Sequence, residues 1–144
     1  MKLVDPDETI VLVTGAAADR DRELAAWLKR EIDRRGDGHA YRRGVTVVDD
    51  WYLDNGVLQQ NPTIAIGGPG ANAVTQAYVA DLTTLYNEGE RIFVQGDLDG
   101  DVKRVSLWGA DAASTAAAVD AFVVHGFLDD LLRRIWRFRM EMLV

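Results

Sequence analysis

Two short runs without a polar interruption constrain this chain most. Ile10-Val11-Leu12-Val13, opened by Thr9, leads through Thr14 into Gly15, and Ile64-Ala65-Ile66, opened by Thr63, leads straight into Gly67. A strand with one wet face alternates polar and apolar residues, whereas these runs do not alternate. Both read as strands, and the first suits a strand buried on both faces, as in a sheet covered by helices.

The segments between them supply those helices. Leu24, Trp27, Leu28 and Ile32 recur at helical spacing, with Arg22, Glu23, Lys29, Arg30, Asp33 and Arg34 on the opposite, solvated face. Asp19 or Asp21 is the expected N-cap and Gly36 the expected stop. Val45 to Val48 reads as a second strand, stopped by Asp49-Asp50, and Asn55-Gly56 marks a turn in the mixed segment that follows. A second helix is expected from Asn72 through Leu82 and towards Leu85, ended by Asn87-Glu88-Gly89.

Arg91 to Gln95 and Lys103 to Trp108 read as two more strands. The connection Gly96 to Asp101 is too short to cross a sheet, so this pair is expected to form an antiparallel hairpin. Asp111 then caps a helix to about Val124, His125-Gly126 breaks it, and Phe127 to Val144 forms a last helix. The expectation is one α/β domain over residues 1–144: three layers, a mixed but mostly parallel sheet of about five strands, helices on both faces and a terminal β-hairpin.

Composition narrows the function classes. The 144 residues include no cysteine, which removes disulfides, thiolate metal ligands and a cysteine nucleophile. Net charge is −7, which disfavours nucleic acid because phosphate contacts need a basic surface. Arg133, Arg134, Arg137 and Arg139 nevertheless form a local basic group. No run approaches the roughly 20 apolar residues of a membrane span. The acidic start, with Asp5, Asp7 and Glu8, does not read as a signal peptide, so a cytoplasmic location is expected.

The turn Gly67-Gly68-Pro69-Gly70-Ala71-Asn72 is the main candidate for ligand chemistry. Glycines after a buried strand let backbone N–H groups approach an anion, and a following helix presents its positive end. The turn carries neither the Gly-Lys-Ser/Thr of a Walker loop nor the spacing of the dinucleotide fingerprint. It also reads as a tight turn stiffened by Pro69 and capped by Asn72. Strand ends in an open α/β sheet share one edge, so Thr14, Gly15 and Asp49 join Gly67, Gly68, Gly70, Ala71 and Asn72 as candidate contacts to a phosphorylated or nucleotide-like molecule. Asp49 and Asp50 read first as turn residues, a role that Asp favours, and strand-end carboxylates can also make an Mg²⁺ or ribose contact.

Other candidate chemistry is sparse. Asp97, Asp99 and Asp101 have the alternation of a Ca²⁺ loop, but its twelfth position is Trp108 rather than Glu, and no metal is expected. His39 and His125 have no carboxylate or serine at a catalytic spacing, and no Gly-x-Ser-x-Gly elbow supports Ser106 or Ser114 as a nucleophile. No cofactor is expected. In the last helix Leu128, Leu131, Ile135, Phe138 and Met142 follow 3-4 spacing. That seam is expected to dock on its own sheet, to bury itself against a second copy in a homodimer, or, through Trp136, Phe138 and the arginines, to touch a membrane surface.

Two segments resemble a known family. Asn61 to Tyr78, NPTIAIGGPGANAVTQAY, resembles the strand–GGP–helix signature of archaeal S-layer proteins, and Arg104 to Phe122, RVSLWGADAASTAAAVDAF, resembles a strand–glycine–helix segment found downstream in the same proteins. The resemblance covers about a third of the chain. It implies an α/β surface-layer domain whose role is assembly, with Gly67, Gly68, Pro69, Ala71 and Asn72 as its turn and no catalytic residue.

Overall fold

The structure, a computed structural model, describes the backbone of residues 4–143 and side chains through residue 136. Six strands form one sheet: β1 (Ile10–Thr14), β2 (Gly44–Val48), β3 (Thr63–Ile66), β4 (Thr83–Glu88), β5 (Ile92–Asp97) and β6 (Arg104–Gly109). Their order is β2-β1-β3-β6-β5-β4. The first four in that order are parallel, and β5 runs antiparallel to both β6 and β4.

Side chains alternate across β1 as a strand requires. Ile10 and Leu12 enter one core, Val11 and Val13 the other, and all four are fully buried. The larger core is built by α1 (Asp19–Gly36), α4 (Ala112–Val124) and α5 (Phe127–Leu143), which bring Leu28, Ile32, Phe122, Leu131 and Trp136 onto Ile64, Ile66, Val105 and Leu107. The smaller core lies under α2 (Asp49–Asp54) and α3 (Ala73–Tyr78), where Tyr52 and Val74 meet Ala65. The mostly parallel mixed sheet, the helices on both faces and the β5–β6 hairpin are as the sequence predicts.

Three local expectations are corrected. The helix from Asn72 towards Leu85 ends at Tyr78, and after a 3₁₀ turn at Val79–Asp81 the chain becomes β4, so the sheet has six strands rather than about five. Asn87-Glu88-Gly89 does not end a helix; Gly89 and Glu90 have φ of 58° and 56° and turn β4 into β5, the paired left-handed geometry of a tight hairpin. β2 stops at Val48, before Asp49-Asp50 as expected, and α2 starts there. At α1 the N-cap is Ala18, without a side-chain hydrogen bond, so neither Asp19 nor Asp21 caps it. The break at His125-Gly126 is present, with Gly126 at φ 84°.

The last helix docks on its own sheet. Leu128, Leu131 and Ile135 lie in the larger core. Trp136 anchors the helix: its indole N–H donates to the Glu8 carbonyl at 3.0 Å. The Arg42 guanidinium lies over the same ring, 5.6 Å from its centre, donates to the Trp136 carbonyl at 3.2 Å and pairs with Glu8 at 3.4 Å. Three of the five seam residues are therefore engaged within the protein, and Phe138 and Met142 lie outside the described side chains. No helix among the described residues is long and apolar enough to cross a membrane.

Candidate functional site

β1 leads into α1 on one face of the sheet and β3 leads into α3 on the other. In an open α/β sheet, ligands bind where successive connections diverge in this way, outside the carboxyl ends of the strands. The Gly67–Asn72 turn stands at that place.

On the α3 side the turn is closed from within. The Asn72 side chain is buried and makes contacts in every direction open to it. Its Nδ2 donates to the carbonyls of Val13 and Ile66, each at 2.9 Å, joining the ends of β1 and β3. Its Oδ1 accepts from the amides of Val74 at 2.9 Å and Thr75 at 3.4 Å. Asp49, also buried, takes the Ala73 amide on Oδ2 and the Asp50 amide on Oδ1, both at 2.8 Å. The Thr75 hydroxyl donates to the Gly67 carbonyl at 2.8 Å. Gly15 closes the remaining gap, since a Cβ there would lie 1.9 Å from the Ala71 carbonyl oxygen. The first three amides of α3, the groups that would bind an anion, all have protein partners.

On the opposite side the same turn forms one wall of a cleft of about 620 Å³. Residues 17–21 at the start of α1 and residues 108–112 between β6 and α4 form the others. Gly67, at φ 116°, passes so close to Asp21 that a Cβ would lie 2.8 Å from Oδ2. Gly68 lies under Trp108, with the ring 3.2 Å from the position of its missing Cβ. Trp108 is fixed by stacking on Phe93, ring centres 4.4 Å apart, and by donating its indole N–H to Gln95 Oε1 at 2.8 Å.

The carboxylates of the cleft differ. Asp111 is exposed, and the backbone amide and hydroxyl of Ser114, with the Arg91 charge, hold it below the usual carboxylate range. Asp21 is 7% exposed and has neither a hydrogen bond nor an ion pair among the described residues, and burial pushes its carboxyl above that range.

Of the residues singled out from the sequence, Gly67, Gly68, Gly70 and Ala71 line this cleft. Thr14 lines a separate groove of about 550 Å³ between α1 and β2, with Arg22, Lys29 and Arg30. Gly15, Asp49 and Asn72 are engaged in holding the turn. Asp21 and Trp108 were not among the candidates: both owe their place to the turn that reaches them from a distant part of the chain. The His125 ring lies against Tyr86, the centres 4.7 Å apart and the planes tilted by 31°, and among the described residues no cluster of His, Asp or Glu is placed to hold a metal ion. No protein-family model matches the chain, and no curated protein matches it.

Proposed function

We propose that this chain is a non-catalytic structural module that serves assembly, the role implied by its resemblance to S-layer domains. One observation carries the reading: the glycine turn that a phosphate would need is engaged by the protein itself. Asn72 and Asp49 occupy the amides of Ala73, Val74 and Thr75, and α3 is only six residues long. A turn that ties two strands and a helix together through Asn72 suits a structural module, and the phosphorylated or nucleotide-like ligand has correspondingly less support.

Self-association through the last helix alone is not the form this proposal takes, because Leu128, Leu131 and Ile135 are in the core. Apolar groups remain exposed elsewhere: Trp51, Leu53 and Val57 on and just after α2, with Val57 80% exposed. Sedimentation velocity across a wide concentration range tests the reading on the intact chain. The expected result is a sedimentation coefficient that grows with concentration and falls back in Val57→Asp. A chain that stays monomeric at every concentration would overturn it.

A further inference from the structure

We propose that the cleft between the starts of α1 and α4 binds a neutral polyhydroxylated small molecule of the size of a monosaccharide, with Asp21 accepting hydrogen bonds from its hydroxyls and Trp108 facing its C–H surface. This goes beyond the assembly reading and does not rest on it.

The buried carboxylate is the starting point. A polar group 7% exposed is nearly always hydrogen-bonded in a folded protein, and a carboxylate more so. Asp21 has no hydrogen-bond or ion-pair partner among the described residues, and it lines an open cleft. The turn glycine beside it has no side chain to shield it, and at Gly67 a Cβ would strike the carboxylate itself. The position therefore presents an acceptor to whatever occupies the cleft.

The surroundings select the occupant. Arg20 lines the cleft with Asp19, Asp21 and Asp111; Asp19 pairs with Arg22 and Asp111 with Arg91, and it is the Asp21 carboxylate, with no ion pair among the described residues, that disfavours a phosphate or another anion. The starts of two helices, of 18 and 13 residues, point their positive ends into the same space, which disfavours an ammonium ion. α1 has no side-chain cap, so its first turn offers backbone donors. A hydroxyl meets both demands because it donates to a carboxylate and accepts from an amide. The remaining walls suit the other side of a sugar ring: a fixed aromatic ring and a flat backbone of glycines. At about 620 Å³ the cleft lies within the roughly 300–1,000 Å³ of small-molecule sites.

The test is a ¹H–¹⁵N NMR titration of the intact chain with D-galactose, D-mannose and N-acetyl-D-glucosamine, with inorganic phosphate and ethanolamine as charged comparators. The expected result is saturable shifts for at least one sugar, centred on residues 17–21 and 67–71 and on the Trp108 indole N–H. Asp21→Asn, which keeps an acceptor but loses the charge, should weaken that sugar about tenfold, and Asp21→Ala should abolish the shifts with the rest of the spectrum unchanged. Either variant suffices if the other fails to fold. No saturable shift with any of the three sugars, a comparator that binds more tightly than all of them, or unaltered affinity in a folded Asp21 variant would each overturn the proposal.

Discussion

The glycine turn is bordered by the beginnings of two helices that are finished differently. At α3, Asn72 and Asp49 give every early amide a partner, and the side chains that do so are buried and have their hydrogen-bonding atoms occupied. At α1, the N-cap is an alanine, and the first-turn carboxylate Asp21 is buried like Asn72 but has no partner among the described residues. Composition does not separate them, since each start carries a short polar side chain suited to capping. What separates them is the neighbour that arrives from elsewhere. Asn72 sits between the ends of β1 and β3, whose carbonyls need donors. Asp21 faces glycine backbone and open cleft. One start stabilises the fold; the other holds an unsatisfied group where solvent or a ligand can reach it.

The largest effect that this comparison predicts belongs to Asn72→Ala. It removes a cap and leaves the buried carbonyls of Val13 and Ile66 without their donor, so urea unfolding should show a loss of about 3 kcal/mol or more. A loss below about 1 kcal/mol would mean the turn is held by other contacts. Asp49→Ala comes next, with a loss of about 1–2 kcal/mol from the Ala73 amide it abandons; no loss would remove Asp49 from the account.

Asp21→Asn should act in the opposite direction, raising the melting temperature at neutral pH by about 2–4 °C if it relieves about 1 kcal/mol. The pH dependence follows from the raised carboxyl. The folded state holds the Asp21 proton more tightly than the unfolded chain does, so its contribution is full below the ordinary carboxylate range and is lost as pH rises through the folded value. The gap between variant and parent should therefore narrow in acid, and a variant that melts below its parent at neutral pH would show that Asp21 is structural. Smallest of all is Gly70→Ala. A Cβ there meets nothing within 4 Å, so the stability change should stay within about 0.5 kcal/mol while the cleft wall gains a methyl group, and a larger loss would show that the turn tolerates no side chain.

Legibility in the sequence followed the range of the interactions. β1 and β3 were readable because burial on both faces writes itself into an unbroken apolar run, and the β5–β6 hairpin because a short connection permits little else. Thr83–Glu88 was misread because Leu82 and Leu85 extend the helical spacing of the preceding residues. The contrary signal was present: Thr83, Thr84 and Tyr86 favour strands, and Gly89 offers the left-handed turn that a hairpin needs. Asn72 as a cap depends on residues two and three positions away and was legible. Asp21 invited the same reading and failed it, because its burial depends on Gly67, which no local pattern connects to it. Trp108 went unnoticed for the same reason.

The anchor at the far end of the chain has a consequence in time. The carbonyl of Glu8 receives its hydrogen bond from Trp136, 128 positions later. During synthesis at about 5–20 residues per second, that donor arrives roughly 6–25 s after its acceptor. The Arg42 guanidinium waits through much of that interval for the carbonyl and ring it will meet. The lead-in to β1 is thus among the last contacts to be fixed, and a ribosome that pauses before Trp136 holds a nascent sheet whose larger core still lacks this anchor.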